Sequence, residues 1–167
     1  MKKVLILLAI ILVLSGCNTS VKEKPPLPNL NFSGNMSVTY NDFDLFCEID
    51  NKLTSGCTIT VVKPELISGL KMAVSDGNCT FSMGNISYDF DTSVLENSEF
   101  ATELYETFEQ ILTTTNVHKL ENGNWKYSGN TSSGRFNLIQ DTLTGFPISV
   151  TIPDADLYIK FSNMKSD

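Results

Sequence analysis

The chain has 167 residues, 41% of them hydrophobic, and carries 12 Lys and Arg against 19 Asp and Glu with one His, a net charge of −7. A chain this acidic is repelled by phosphate backbones and by anionic headgroups, which argues against nucleic-acid binding and against electrostatic attachment to a membrane. Its length suits one domain with a substantial core.

Lys2 and Lys3 precede an apolar run from Val4 to Leu14, the charged and greasy parts of a secretory signal. The run is too short for the roughly 20 residues that a helix needs to cross a bilayer core. It ends in Leu14-Ser15-Gly16-Cys17, which resembles the lipobox of bacterial lipoproteins, a family in which a diacylglycerol is attached to the cysteine thiol and the peptidase cuts just before it. The resemblance implies a signal peptide over 1–16, Cys17 as the lipid-bearing first residue of the mature protein, and a lipid-anchored position on the extracytoplasmic face of the cell membrane. The competing reading is an ordinary secreted protein in which Cys17 is incidental. Without Lys2 and Lys3 the chain carries ten basic and 19 acidic residues, a net charge of −9, so the covalent lipid would have to hold it at the membrane. Residues 17–31 include "NTSVKEKPPLPNLN", polar, proline-rich and aperiodic, which predicts an extended, flexible tether.

From Phe32 the pattern has period two, broken by turn residues, which predicts antiparallel β-structure. Phe32, Met36, Val38 and Tyr40 share one face of the first strand, Leu45, Cys47 and Ile49 one face of the second, and Cys57, Ile59 and Val61 one face of the third, which Pro64 ends. "LKMAVS" and "NCTFSM" flank the hairpin turn Asp76-Gly77, and "ISYDF" follows. The period then changes. Between Ser98 and Thr115, Phe100, Leu104, Phe108, Ile111 and Leu112 fall on one helical stripe. Ser98, or an earlier capping box from Ser93 to Glu96, would start that helix. Strands resume with "VHKLE", the turn Asn122-Gly123, "NWKYSG", "GRFNLIQ", "FPISVTI" and "DLYIKFS". The expected architecture is mainly β (α+β): an incomplete antiparallel barrel or strongly curved sheet of about eleven strands, one domain over 32–163, with one amphipathic helix over the concave face and a short tail at 164–167.

This layout resembles the superfamily of the outer-membrane lipoprotein carrier and the lipid-binding lipoproteins. The parallels are "TITVVKPELISGLKMAVS", the helix after "NISYDFDTS", and the ending "GFPISVTIPDADLYIKFSN" with Pro147. The resemblance implies a half-barrel around an apolar cavity that a helix plugs. It departs in having one clear helix where the carriers have several, and the carriers' docking determinants have no counterparts here. Met36, Met72, Met83, Phe81, Phe100, Leu104, Phe108, Trp125, Phe136 and Phe146 are the expected cavity lining, since methionine and aromatic side chains adapt to an irregular apolar ligand. The alternative is that they meet one another in a filled core.

Polar chemistry is sparse. His118 is the only histidine, and no Cys, Asp or Glu stands at metal-ligand spacing around it. The acid pairs Asp42 and Asp44, Asp89 and Asp91, and Asp154 and Asp156 sit at strand ends and turns, where solvated carboxylates are ordinary. No enzyme activity, cofactor or metal is expected. Cys47 and Cys57 could face each other across a hairpin near Lys52, or be small buried hydrophobes. The expected function is a membrane-anchored binding protein, a monomer, holding a lipid, a lipoprotein acyl chain or another apolar ligand. The alternative is a surface interaction or sensor module with a filled core and a protein partner.

Overall fold

The computed structural model describes residues 23–91 and 100–166; Cys17 and the candidate caps Ser93, Glu96 and Ser98 lie outside them. The described residues form eleven strands: β1 (Phe32–Tyr40), β2 (Phe43–Lys52), β3 (Gly56–Lys63), β4 (Lys71–Ser75), β5 (Asn78–Met83), β6 (Ile86–Asp91), β7 (Val117–Lys119), β8 (Trp125–Thr131), β9 (Gly134–Gln140), β10 (Pro147–Ile152) and β11 (Leu157–Ser166). They form one antiparallel sheet in the order β6-β5-β4-β3-β2-β1-β11-β10-β9-β8-β7. The chain therefore runs outward from the centre to one edge, crosses to the opposite edge, and returns to pair β11 with β1.

That crossing carries the helix. Eleven strands laid flat would separate the edges by nearly 50 Å, whereas helix α1 (Phe100–Ile111) is about 18 Å long. The helix lies inside the curl of the sheet, against β8 on one arm and β3 and β4 on the other. Register shifts at Ser33/Asn35, Phe46/Cys47 and Pro147/Ser149 mark where the ladder bends. The hairpin turns agree with their residues: Asn41-Asp42 and Asp76-Gly77 have positive φ at both positions, as the tight turns that match strand twist require.

Period-two patterning places one side chain in two on the concave face. Met36 sits opposite Cys47 and Phe161, and Ile59 opposite Ile49 and Met72, all but Phe161 almost completely buried and that ring nearly so. Gly129 makes room for the ring of Phe136, its partner across β8 and β9, since a methyl group there would stand 2.5 Å from that ring.

Of the expected stripe, Phe100, Leu104, Phe108 and Ile111 are buried, but the helix stops at Ile111, short of the threonines, and leaves Leu112 half-exposed beyond it. Thr114 turns its hydroxyl to the Ser128 carbonyl at 2.9 Å, a bond outside the helix that suits a β-branched residue better than another helical turn. One carboxylate sits in the apolar stripe. Glu103 is fully buried, and its Oε1 accepts from Ser132 Oγ at 2.9 Å and Ser133 Oγ at 2.5 Å, while Glu106 Oε2 accepts from the Ser132 N–H at 2.8 Å. The two acids bind the helix to the β8–β9 turn. Glu103→Ala is expected to destabilise the fold by about 1.5 to 3 kcal/mol, the range for hydrogen bonds to a charged group, and Glu106→Ala by distinctly less; equal unfolding midpoints in urea for the Glu103→Ala variant and the parent would remove Glu103 from this role.

Cys47 and Cys57 are both on the buried face and neither is bridged. The expected β2–β3 hairpin is present, but its register sets Cys47 opposite Val61 and Cys57 opposite Asn51, so the two thiols do not meet. Burial pushes the Cys47 thiol up to about 12, and burial, with the Asp50 charge adding to it, raises Cys57 further. A raised thiol pKa leaves almost no thiolate at pH 8. Both should resist alkylating reagents in the native protein at that pH and react on unfolding, a contrast that mass spectrometry before and after urea would read; rapid native labelling of either would contradict it.

Candidate functional site

All ten side chains expected to line a cavity face the concave side of the sheet or belong to the helix that covers it. They divide into two groups by position. Met36, Met72, Phe100, Leu104, Phe108, Trp125 and Phe136 are buried, and Phe146 packs against them half-buried. Phe32 forms the hub of this centre, with ring centroids 5.7 Å from Phe108, 6.2 Å from Phe146 and 6.2 Å from Phe161, each edge to face. Edge-to-face rings at these distances are in contact. Beneath the helix, the apolar side chains are filling the half-barrel for one another.

Phe81 and Met83 form the second group, on β5, with the concave side of edge strand β6 beside them. Cross-strand pairing sets Met83 opposite Ile86, Phe81 opposite Tyr88 and Cys79 opposite Phe90. Phe81 and Phe90 meet edge to face at 5.6 Å. Cys79 is buried, but Ile86 is 62% and Tyr88 64% exposed, and Met83 and Phe90 are exposed as well. The strip is two strands wide, about 10 Å, and continues the core face past β3 and β4, the strands that the helix meets on this arm. Ile86, Tyr88 and Phe90 were not among the expected lining. Their alternation in "ISYDFD" was visible, but nothing in it distinguishes an apolar face that is covered from one that is open.

The convex face has a different chemistry. A broad, open groove of about 940 Å³ crosses it, lined by Ser33, Asn35, Glu48, Asp50, Thr58 and Lys165 among others. The β1–β11 bulge shapes one wall: Asn163 has φ of 53°, and Met164 folds over Gly34, where a methyl group would stand 2.6 Å from its sulfur. Ser, Thr and Asn hydroxyls and amides dominate, with both signs of charge present. His118 lies exposed on short strand β7, and the paired acids serve local structure. Asp44 accepts the Thr39 hydroxyl and Asp89 the Thr80 hydroxyl, each at 2.7 Å across a strand pair.

The segment expected as a flexible tether lies against the domain from Glu23 onward. Glu23 Oε2 is 2.6 Å from Lys119 Nζ, the Tyr127 hydroxyl donates to the Pro26 carbonyl at 3.3 Å, and the Asn29 N–H donates to the Gly145 carbonyl at 3.0 Å. Leu30 is buried in the core, and its carbonyl accepts from Asn51 Nδ2 at 2.6 Å.

An unclosed antiparallel half-barrel with one helix in its concavity and an apolar strip beside that helix defines the class of protein by shape. Its N-terminus adds the attachment: residues 1–18 match the family model for the prokaryotic membrane lipoprotein lipid attachment site, which makes the chain a lipid-anchored membrane protein. No curated protein matches it in sequence. Among solved structures, the half-barrel is similar to an uncharacterized conserved protein from Thermus thermophilus, with 11% identity, a TM-score of 0.54 and 83% of this chain aligned to 81% of that one. That likeness is one of fold. Also similar are a LolA superfamily protein from Nitrosomonas europaea (11% identity, TM-score 0.46, 84% of this chain and 88% of that one) and a DUF1329 family protein from Desulfovibrio piger (11% identity, TM-score 0.44, 81% and 85%).

Proposed function

We propose that this protein is an extracytoplasmic lipoprotein, held by a diacylglycerol on Cys17, that binds a lipid, an acyl chain or another apolar ligand on the concave side of its half-barrel. The observation that carries this reading is the open strip of Phe81, Met83, Ile86, Tyr88 and Phe90 on β5 and β6. Monomeric proteins rarely leave a contiguous apolar patch in water without a use for it. An acyl chain is about as wide as one strand spacing, so the strip can accept one or two, while the aromatic rings contribute contact at little entropic cost. The role is binding, not catalysis, and the packed centre beneath the helix acts as the rigid wall against which the strip is held.

The test uses the chain from Asn18 and a fluorescent fatty acid. Tyr88→Asp and Ile86→Asp, each introducing a charge into the strip, are expected to weaken binding about ten-fold or more, since placing a charge against an acyl chain costs well over 1.4 kcal/mol. Both positions are exposed, so the unfolding midpoint should shift by no more than about 0.5 kcal/mol equivalent. Undiminished binding in both variants would rule out the strip as the site.

A second reading draws on the convex groove. The filled centre and the polar groove of about 940 Å³ support a surface interaction module that takes a protein partner on its outer face. Binding of such a partner would be lost in a Glu48→Lys, Asp50→Lys variant and unaffected by Tyr88→Asp.

A further inference from the structure

We infer that the end of the half-barrel carrying the β2–β3 and β9–β10 loops docks directly on the lipid bilayer, inserting Leu27, Leu53 and Leu143 among the headgroups. The inference rests on lipid attachment at Cys17 and is independent of which ligand the concave face takes.

The three leucines come from separate parts of the chain and are brought to one end by specific bonds. Leu27 and Leu143 are 90% and 92% exposed, and Leu53 48%. Asn29 donates its N–H to Gly145 in the β9–β10 loop at 3.0 Å, and Leu53 donates its N–H to Asn31 Oδ1 at 3.0 Å in the β2–β3 loop. Residues 27–31 thus tie the two loop tips together. The Leu27 backbone also packs closely on Gly145, with its carbonyl 2.9 Å from where a side chain would begin; at φ of 74° only glycine sits there easily. The β9–β10 tip is built, not slack. Asp141 Oδ1 accepts from the Leu143 N–H at 3.0 Å, the Thr144 N–H at 2.7 Å and the Thr144 hydroxyl at 2.8 Å, and these bonds, those from Thr144 foremost, hold its carboxyl below the usual carboxylate range. The Thr142 hydroxyl joins this loop to the β7–β8 loop through the Gly123 carbonyl at 2.5 Å. Leu143 is therefore presented to solvent by a fixed loop.

The chain outside the structure says what covers these leucines. Glu23 is held to Lys119 at this same end, and six residue steps separate it from Cys17, a reach of about 20 Å at full extension. A lipid on Cys17 cannot let the domain float further than that from the bilayer, and the surface it holds nearest is the one from which the tether departs. Both signs of charge occur on the rim, in Glu23, Lys24, Lys52, Lys119, Glu121 and Asp141. Docking is accordingly driven by apolar insertion, and zwitterionic lipid suffices. The orientation leaves the opposite end, with the Asn41-Asp42 turn and the Met83 to Ile86 end of the open strip, directed away from the membrane.

The experiment uses the full lipidated chain reconstituted in phosphatidylcholine vesicles doped with a lipid spin-labelled near its headgroup. An environment-sensitive fluorophore is attached at Leu143→Cys, Leu27→Cys or Leu53→Cys, with Asp42→Cys at the far end as the control. Blue-shifted emission and several-fold stronger quenching at 143, 27 and 53 than at 42 are expected. Leu27→Ser combined with Leu143→Ser should return a probe at 53 to water-like emission, while the chain still co-sediments with the vesicles. Equal quenching at 42 and 143, or none at 143 in a chain that co-sediments, would overturn the docking and leave the anchor in place. A chain that does not co-sediment at all would remove the anchor and the docking with it, whatever its affinity for fatty acid.

Discussion

Phe108→Ala is expected to lower the stability of the domain by about 3 to 5 kcal/mol, the range for truncating a large aromatic side chain in a filled core. Phe108 is only 2% exposed, and its ring lies 5.7 Å from that of Phe32 and 6.3 Å from that of Phe161. Both neighbours sit on β1 and β11, the central pair of the sheet, whose register is set along its length by backbone hydrogen bonds. They cannot shift to fill the space without disturbing that pairing, so a cavity remains. Urea denaturation of the parent and the variant measures the difference, and Leu112→Ala, at a half-exposed position just past the helix, should cost well under 1 kcal/mol as the comparison. A loss below about 1 kcal/mol for Phe108→Ala would mean that the centre beneath the helix is open space, and would move the ligand site there from the β5–β6 strip.

Cys17→Ala should abolish lipid attachment completely. The thioether needs a sulfur at the position that follows Gly16, and Cys47, Cys57 and Cys79 are all buried in the folded sheet. A single acyl chain gives only marginal membrane binding, whereas two or more give stable anchoring at about 0.8 kcal/mol per buried methylene. Losing the modification leaves the uncut precursor, still carrying its apolar run from Val4 to Leu14, or releases a mis-cleaved soluble form. Labelling of cells with a fatty-acid probe, read together with the mass of the chain, should show no label and no cut before residue 17. A Cys17→Ala chain that is still labelled and still cut there would end the lipoprotein assignment.

The strands, the turns and the helix were legible because each rests on local chemistry. Alternation places Met36, Cys47, Ile59 and Met72 on one face whatever the neighbours are, and Asp76-Gly77 forms a tight turn because both residues tolerate positive φ. The attachment signal was legible for a similar reason, since it is read from a short linear stretch. The division of the ten apolar residues was not legible. Phe108 and Phe81 look alike in sequence, and one is enclosed while the other borders open surface because the helix packs against β8, β4 and β3 and Phe81 lies on β5 beyond them. The Cys47 and Cys57 pair looked able to bridge across a turn at Lys52, but the hairpin pairs Lys52 with Gly56 and Asn51 with Cys57, which sets Cys47 opposite Val61 and keeps the thiols apart.

The tether shows the same boundary from the other side. "EKPPLPNLN", from Glu23 to Asn31, has the composition of a free linker, and its lack of periodicity correctly excludes helix and strand. Composition does not disclose that Leu30 has a hole to fill between sheet and loops, or that Pro26, Asn29 and Asn31 find Tyr127, Gly145 and Leu53, residues far along the chain. By itself the sequence determined an anchored, mainly β fold with one amphipathic helix, because signal, period and turn are properties of neighbours in the chain. Only the tertiary structure decided which apolar face is filled, which is open, and which end carries the exposed leucines, because each depends on the register and curvature of an eleven-stranded sheet and on where the helix packs against it.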